Sequence, residues 1–158
     1  MGTLDVDFHQ FTIRSRADLD EPVQDSPAQD LLFAPRRAHV AVLSGIASGP
    51  VAVTTQRLDT APDQVADGWE DVAEVSLAVD AGEALRVVGW TRELPEDEAR
   101  LDVGPGTYRV RVHARGRDSA YDAAVLEVLE EFLVQAWPAP FAAPVTLAAT
   151  SKVARGLV

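Results

Sequence analysis

Apolar and charged residues alternate most regularly in residues 107–115, which read Thr-Tyr-Arg-Val-Arg-Val-His-Ala-Arg. Successive side chains of a β-strand point to opposite faces, so this order predicts a strand with one apolar and one cationic face. The apolar face holds Tyr108, Val110, Val112 and Ala114. The cationic face holds Arg109, Arg111, His113 and Arg115. This segment predicts a β-rich protein in which charged and apolar side chains are separated in space.

Further strands are predicted at short intervals. Residues 38–46 and 51–58 are rich in β-branched and apolar residues, and residues 69–79 alternate between apolar and polar positions. Turn-forming sequences such as Gly104-Pro105-Gly106 separate the strands. About eight or nine strands at this spacing predict a mainly β protein, an antiparallel β-sandwich that spans residues 1–158 as one domain.

The predicted N-terminal strand, residues 5–14, contains a shift of phase. The apolar positions up to Phe8 fall on one face, whereas those from Phe11 onward fall on the other. One extra residue near His9 and Gln10 would produce this shift, so we predict a β-bulge there. Bulges redirect side chains near functional sites, which makes His9 the most interesting of the histidines.

Two segments depart from the strand pattern. Residues 119–128 repeat apolar side chains at intervals of three and four, which predicts one short helix. Residues 17–35 are acidic and interrupted by prolines, which predicts a loop.

Charge and composition narrow the classes of function. The chain has a formal net charge of −11 and no cysteine, so disulfides and thiolate metal sites are excluded. A strong negative field repels nucleic acid and attracts basic partners, so we expect a protein partner and no nucleic acid. The sequence has no leader pattern and no apolar run of membrane-spanning length, so we expect a cytoplasmic protein that does not use a membrane.

The cationic face of residues 107–115 needs compensation, because its like charges lie about 7 Å apart. One interpretation is a neighbouring strand that supplies acids, with Glu70 and Glu74 as candidates. The other is an anion-binding face for phosphate, carboxylate or an acidic protein. The sequence leaves both open.

Acidic loops are the second candidate site. Two clusters could meet a basic partner in a fast, salt-dependent association. They consist of Asp63, Asp67, Glu70 and Asp71, and of Glu93, Glu96, Asp97 and Glu98.

Catalytic and metal-binding signatures are missing from the sequence. His9, His39 and His113 fall in three separate predicted strands, without the paired spacing of a metal site. The segment Gly45-Ile46-Ala47-Ser48-Gly49 has alanine where a nucleophile elbow needs serine. We therefore predict no catalytic residue, no metal, no cofactor and no enzymatic activity.

The run Asp7-Phe8-His9-Gln10-Phe11-Thr12-Ile13 resembles the N-terminal strand of the competence protein J family, inhibitors of the DNA-entry nuclease of competent bacteria. The turn Pro105-Gly106-Thr107-Tyr108 is also similar to one in that family. The resemblance implies a small β-sandwich that binds a protein and has no catalysis of its own. It makes His9, Gln10 and Phe11 a shared feature without assigning them a role.

Three functional hypotheses follow. The leading one is a non-catalytic, acidic inhibitor or immunity-type partner of a basic nuclease, which acts by occlusion. The alternative is a small-molecule or carbohydrate-binding module, which would need Trp90 or Trp137 in a concave face beside the arginines. The third is an acid–base enzyme that uses His9 or His113 with a nearby carboxylate. Exposed edge strands would also allow a homodimer.

Overall fold

The computed structural model describes residues 1–16 and 30–158, which form two β-sheets and one helical turn. The strands are β1 (Gly2–Val6), β2 (Gln10–Arg14), β3 (Leu32–Arg36), β4 (His39–Leu43), β5 (Gly49–Arg57), β6 (Asp71–Val79), β7 (Arg86–Val88), β8 (Gly106–Arg115), β9 (Glu131–Pro138) and β10 (Val145–Ala149), and the helix is α1 (Glu96–Ala99). The prediction of a mainly β sandwich with one short helix is confirmed.

The larger sheet has six strands in the order β1-β5-β9-β8-β6-β10. All of its pairs are antiparallel except β5 and β9, which run parallel. Strand β8 lies inside the sheet, and its predicted apolar side chains are buried, with Val110 and Val112 fully inaccessible to solvent. The predicted two-faced strand is therefore observed at residues 107–115.

The smaller sheet has four strands in the order β3-β4-β2-β7 and packs over the larger one. Phe11 of β2 meets Phe132 of β9 edge to face, with ring centroids 5.1 Å apart. Both rings are buried, together with Leu4 of β1 and Ile13 of β2. The contact places aromatic side chains of both sheets in one core, as a sandwich requires.

The predicted bulge near His9 is wrong. Strands β1 and β2 belong to different sheets, and Phe8 and His9 form the two-residue turn between them. Asp7 and Gln10 exchange backbone hydrogen bonds of 3.1 and 3.3 Å around this turn. The apolar phase shifts because the chain passes from one sheet to the other, since each strand buries its own set of alternate residues.

The predicted helix at residues 119–128 is also wrong. This segment is a series of turns, and the only α-helix in the described residues is α1. Beyond its own turn bonds, its backbone pairs with another loop: Ala47 N–H donates to the Ala123 carbonyl, and Val125 N–H donates to the Ser48 carbonyl. Hydrogen bonds to the neighbouring loop outweighed the helical spacing of the apolar residues. Several of those residues are exposed and do not pack as a helix face would.

Of the predicted loop at residues 17–35, residues 17–29 lie outside the described residues. Its last residues belong to the edge strand β3, which ends at Arg36, and Leu32 there is buried. In the part of the chain that is described, no helix is both long and apolar enough to span a membrane.

Candidate functional site

The cationic face of β8 is covered and neutralised within the described structure. Glu74 of the adjacent strand β6 accepts from Arg109 Nε at 2.9 Å and from Arg111 Nε at 2.7 Å. All three residues are buried. A carboxylate shared by two guanidinium groups gives strong charge-assisted bonds where solvent screening is weak. Glu74, one of the two acids considered from the sequence, thus compensates the charge of the cationic face.

Two chain segments lie over this face and bind to its arginines. Arg109 donates to the carbonyls of Ala142 and Ala143, both at 2.9 Å, and Arg111 donates to the carbonyl of Gln64 at 3.4 Å. The anion-binding interpretation therefore fails at Arg109 and Arg111, whose donors are directed to the protein itself.

The remaining two members of the row are also engaged. His113 is fully buried, and its Nδ1 lies 3.0 Å from the Leu133 carbonyl oxygen. Burial lowers the pKa of His113 below its ordinary value, so the imidazole is neutral. Arg115 is half exposed, pairs with Glu131 at 2.7 Å and lies over the Trp69 ring. The row is a structural element of the fold.

Asp71 does not belong to the acidic surface that the sequence predicted. It is fully buried in β6, where its carboxylate accepts from Arg117 Nη1 at 2.8 Å and from Ser151 Oγ at 2.7 Å. It also accepts from the backbone N–H groups of Thr150 and Ser151. Asp71 therefore holds the C-terminal segment against the sheet and is unavailable to a partner.

The other predicted acids lie in two separate places. Asp63 and Asp67 are exposed in the segment that crosses the outer face above β8. Glu70, beside it, is half buried and accepts from Gly116 N–H at 2.9 Å. The second cluster lies beside β1 and β5, where the Thr55 hydroxyl of β5 donates to the Glu98 carbonyl. Three strand spacings separate β8 from β1, or about 14 Å.

In the second cluster the acids differ in what they contact. Glu93 and Asp97 are exposed, and Glu93 Oε2 accepts from Gly89 N–H at 3.2 Å. Glu96 pairs with Arg86 at 2.8 Å, and this hydrogen bond lowers the pKa of Glu96. The cluster therefore offers partly compensated carboxylates along one side of the sandwich.

A different feature stands out at the turn between β1 and β2. Phe8 and His9 both have left-handed backbone conformations, with φ of 51° and 61°. Two-residue hairpin turns of this type favour Asn and Gly, so aromatic residues here are strained. Phe8 is 71% exposed, and its ring lies edge-on to Trp90 at 5.3 Å. The turn thus presents a large apolar ring to solvent at a conformational cost.

The third strained residue lies beside it. Asp122 has a φ of 60°, and its Oδ1 lies 2.9 Å from His9 Nε2. Within residues 1–16 and 30–158, Phe8, His9 and Asp122 are the only non-glycine residues with positive φ. The Tyr121 ring lies 5.8 Å from the His9 ring. Backbone strain concentrated at one place is a feature of functional sites.

The loop before β5 holds these pieces together. His9 N–H donates to the Ala47 carbonyl at 3.1 Å, and Asp122 N–H donates to the Gly45 carbonyl at 2.9 Å. Gly45 is essential to this packing, because a Cβ there would lie 1.9 Å from the Arg117 carbonyl oxygen. The strained turn and the 121–126 loop are therefore fixed to one support.

Glu130 anchors that support from inside. Its buried carboxylate accepts from Gly45 N–H at 3.1 Å and from Ile46 N–H at 2.6 Å. Burial raises the pKa of Glu130 above its ordinary value, and the two backbone bonds offset part of that effect. A buried acid with this many fixed donors rigidifies the loop.

We call this end of the molecule the turn surface, and define it by six residues. They are Phe8, His9, Trp90, Tyr121, Asp122 and Leu126. Trp90 and Leu126 line the same groove of about 310 Å³, together with Asp5 and Asp7. The sequence analysis singled out His9 and considered Trp90 only beside the arginines, because residues 8, 90 and 126 come together only through the fold.

The turn surface also bears on the other hypotheses. The His9–Asp122 pair supplies a histidine and a carboxylate in contact, as acid–base chemistry would need. The nearby Ser44 hydroxyl donates to the Ile46 carbonyl at 2.9 Å, so it does not complete a triad with His9. In the described residues, no group of three or more His, Asp or Glu side chains is arranged for a metal ion. Trp137 is buried, so its indole is not available as a carbohydrate-binding platform beside the arginines.

Comparisons with known proteins support the fold. No family model and no curated protein matches the sequence. The structure is similar to that of ComJ from Bacillus subtilis, described as an inhibitor of the DNA degrading activity of NucA, with a TM-score of 0.54 and 12% sequence identity. The match covers 87% of this chain and 94% of that chain. The chain therefore shares the fold of a nuclease inhibitor, as the N-terminal resemblance implied.

Proposed function

We propose that this protein is a non-catalytic inhibitor that binds a basic, DNA-degrading nuclease and blocks its access to DNA. The observation that carries the proposal is the similarity of fold, over most of both chains, to an inhibitor of such a nuclease. The net charge of −11 supports it, because a nuclease that holds phosphates presents basic side chains.

Exposed carboxylates give the proposed association its speed. Asp63 and Asp67 on the outer face, and Glu93 and Asp97 on the β1 side, are open to solvent. Such charges raise the association rate with a basic protein and make it fall with salt, and rim charges of this kind contribute less to the dissociation rate.

The decisive experiment measures DNA digestion by the basic nucleases of the source organism, each with and without the purified protein. We expect stoichiometric inhibition at low salt that weakens as salt rises. Undiminished digestion at low salt with the inhibitor in excess would reject the proposal.

A charge variant tests the role of the loops. Asp63→Asn combined with Asp67→Asn is expected to slow association about two- to tenfold at low salt, with little change in the dissociation rate. Glu83→Gln, an exposed acid in the turn before β7, is the control for a general loss of charge. If the double variant and Glu83→Gln slow association equally per charge removed, only the overall electrostatic field of the protein matters.

A further inference from the structure

We propose that the turn surface is the docking site of the nuclease, and that its groove receives a partner arginine against the face of Trp90. This inference rests on the proposed function, and it assigns the contact itself to a surface different from the acidic loops. The occupant is a basic protein that inserts a guanidinium between the indole and the carboxylates of Asp5 and Asp7.

The apolar part of the surface is concentrated and accessible. Leu126 is 97% exposed, Phe8 is 71% exposed, and Trp90 is 47% exposed. Single exposed apolar residues are common, but these three are connected: Phe8 contacts Trp90, and Trp90 shares a groove with Leu126. Interfaces take most of their binding energy from such clustered aromatic and aliphatic anchors.

The surface is rigid before any partner arrives. The indole N–H of Trp90 donates to the Gln10 carbonyl at 3.0 Å, and backbone bonds fix His9 and Asp122 to the loop at residues 44–48. Glycine would relieve the positive φ of Phe8, yet the chain places a phenyl ring there. A preorganised anchor loses little entropy on binding, which offsets the strain.

The charges around the groove favour a cation. Asp5 and Asp7 line it, with Arg92 as the one basic residue in the lining. Asp5 is engaged by Arg92 Nε at 4.0 Å and by the Thr91 hydroxyl at 2.6 Å. Asp7 accepts only a backbone bond, from Phe8 N–H at 2.9 Å, among the described residues, so its charge is not compensated by a cation. Asp122 lies outside this lining, and its carboxylate faces His9. An incoming guanidinium would meet a net negative rim.

The protein itself shows which chemistry fits the exposed indole. Arg115 lies over Trp69 at 4.8 Å, and Arg111 lies over Trp137 at 5.3 Å. Across residues 1–16 and 30–158 no arginine of this chain is placed over the third tryptophan, Trp90. Arginine suits this position because its planar group stacks on an aromatic face while its edge donates to carboxylates.

The test uses the full chain and a purified basic nuclease of the source organism, identified by the digestion experiment and made inactive so that DNA is not needed. Dissociation constants are measured for the wild type, Leu126→Ser, Phe8→Asn and Trp90→Leu. We expect each variant to bind about tenfold more weakly or worse, mainly through faster dissociation. Val103→Ser is the matched control, since Val103 is 73% exposed beside the turn before β8, at the opposite end of the sandwich, and should bind as the wild type does.

The outcomes separate this inference from the proposed function. If the wild type inhibits the nuclease and the three variants bind equally well, the docking site is wrong and the inhibitor function stands. If the wild type does not bind the nuclease at all, both are wrong. Phe8→Asn removes the ring at a position where asparagine tolerates the backbone, so unchanged melting with weaker binding supports docking over a folding role.

A second copy of this chain is the competing occupant of the turn surface. Sedimentation velocity of the protein alone distinguishes it. A monomer under all conditions agrees with the proposal. A dimer that Leu126→Ser converts to monomer would assign the surface to self-association and overturn the proposal.

Discussion

Replacing Glu74 with glutamine removes the single carboxylate that serves both Arg109 and Arg111. The bonds are 2.9 and 2.7 Å long, and all three side chains are buried. Glutamine keeps one acceptor oxygen, so about one of the two bonds can persist. The change therefore leaves two buried cations without the counter-charge that they share.

The magnitude follows from the cost of an uncompensated buried charge, about 3–5 kcal/mol when one partner of a buried pair is removed. Arg109 keeps its bonds to Ser76 and to the Ala142 and Ala143 carbonyls, which lessens the cost. We therefore expect Glu74→Gln to lower the free energy of unfolding by about 3 kcal/mol.

Denaturant unfolding followed by fluorescence gives the free energy of unfolding from the midpoint and slope. The matched control is Glu131→Gln, which breaks the exposed pair with Arg115, whose side chains are 45% and 43% accessible. Exposed pairs contribute at most about 1 kcal/mol. If the two variants lose the same stability within error, the buried ion pairs do not stabilise the outer face of the sheet, and our interpretation of the cationic face is wrong.

Three further predictions concern the supports of the turn surface and the buried histidine. Gly45→Ala should destabilise the protein by about 3 kcal/mol, because its Cβ would lie 1.9 Å from the Arg117 carbonyl oxygen; an unchanged melting temperature would contradict this. Glu130→Gln should cost about 1–3 kcal/mol at neutral pH, since one of its two backbone bonds is lost, and a variant as stable as the wild type in denaturant would refute the anchor. His113 has a lowered pKa, so the unfolded state binds more protons and its contribution to stability is lost as pH falls from about 6.5 through the folded pKa; the stability difference between the wild type and His113→Gln should shrink between pH 7.5 and 5.5, and a constant difference would count against a neutral buried imidazole.

The tests share a physical logic. In the interior, removal of one partner exposes the full desolvation cost of the other, so effects on stability are large. At the turn surface the side chains contact solvent in the free protein, so their substitution should leave stability nearly unchanged and weaken binding. A variant that loses stability therefore marks a residue that serves the fold. A variant that loses only binding marks a residue that contacts the partner.

Alternation along the chain is a local property, and it was sufficient for the strand at β8. The apolar side chains of Val110 and Val112 face the core as the spacing requires. The same reasoning failed at His9, because a phase shift looks alike whether one strand bulges or two strands part into different sheets. It failed again at residues 119–128, where Tyr121 and Val128 recur at helical spacing but are 46% and 43% exposed.

The sequence by itself determined the mainly β architecture, the two-sided strand β8 and the acidic charge, because each depends on neighbouring residues or on composition. Only the tertiary structure decided that Glu74 lies between two arginines, that Asp71 is internal, and that Phe8, Trp90 and Leu126 lie on one surface. These residues lie tens of positions apart, and no local periodicity encodes which distant strand or loop will be adjacent. The turn surface therefore exists only in the folded protein, where the assembly of the two sheets brings its residues together.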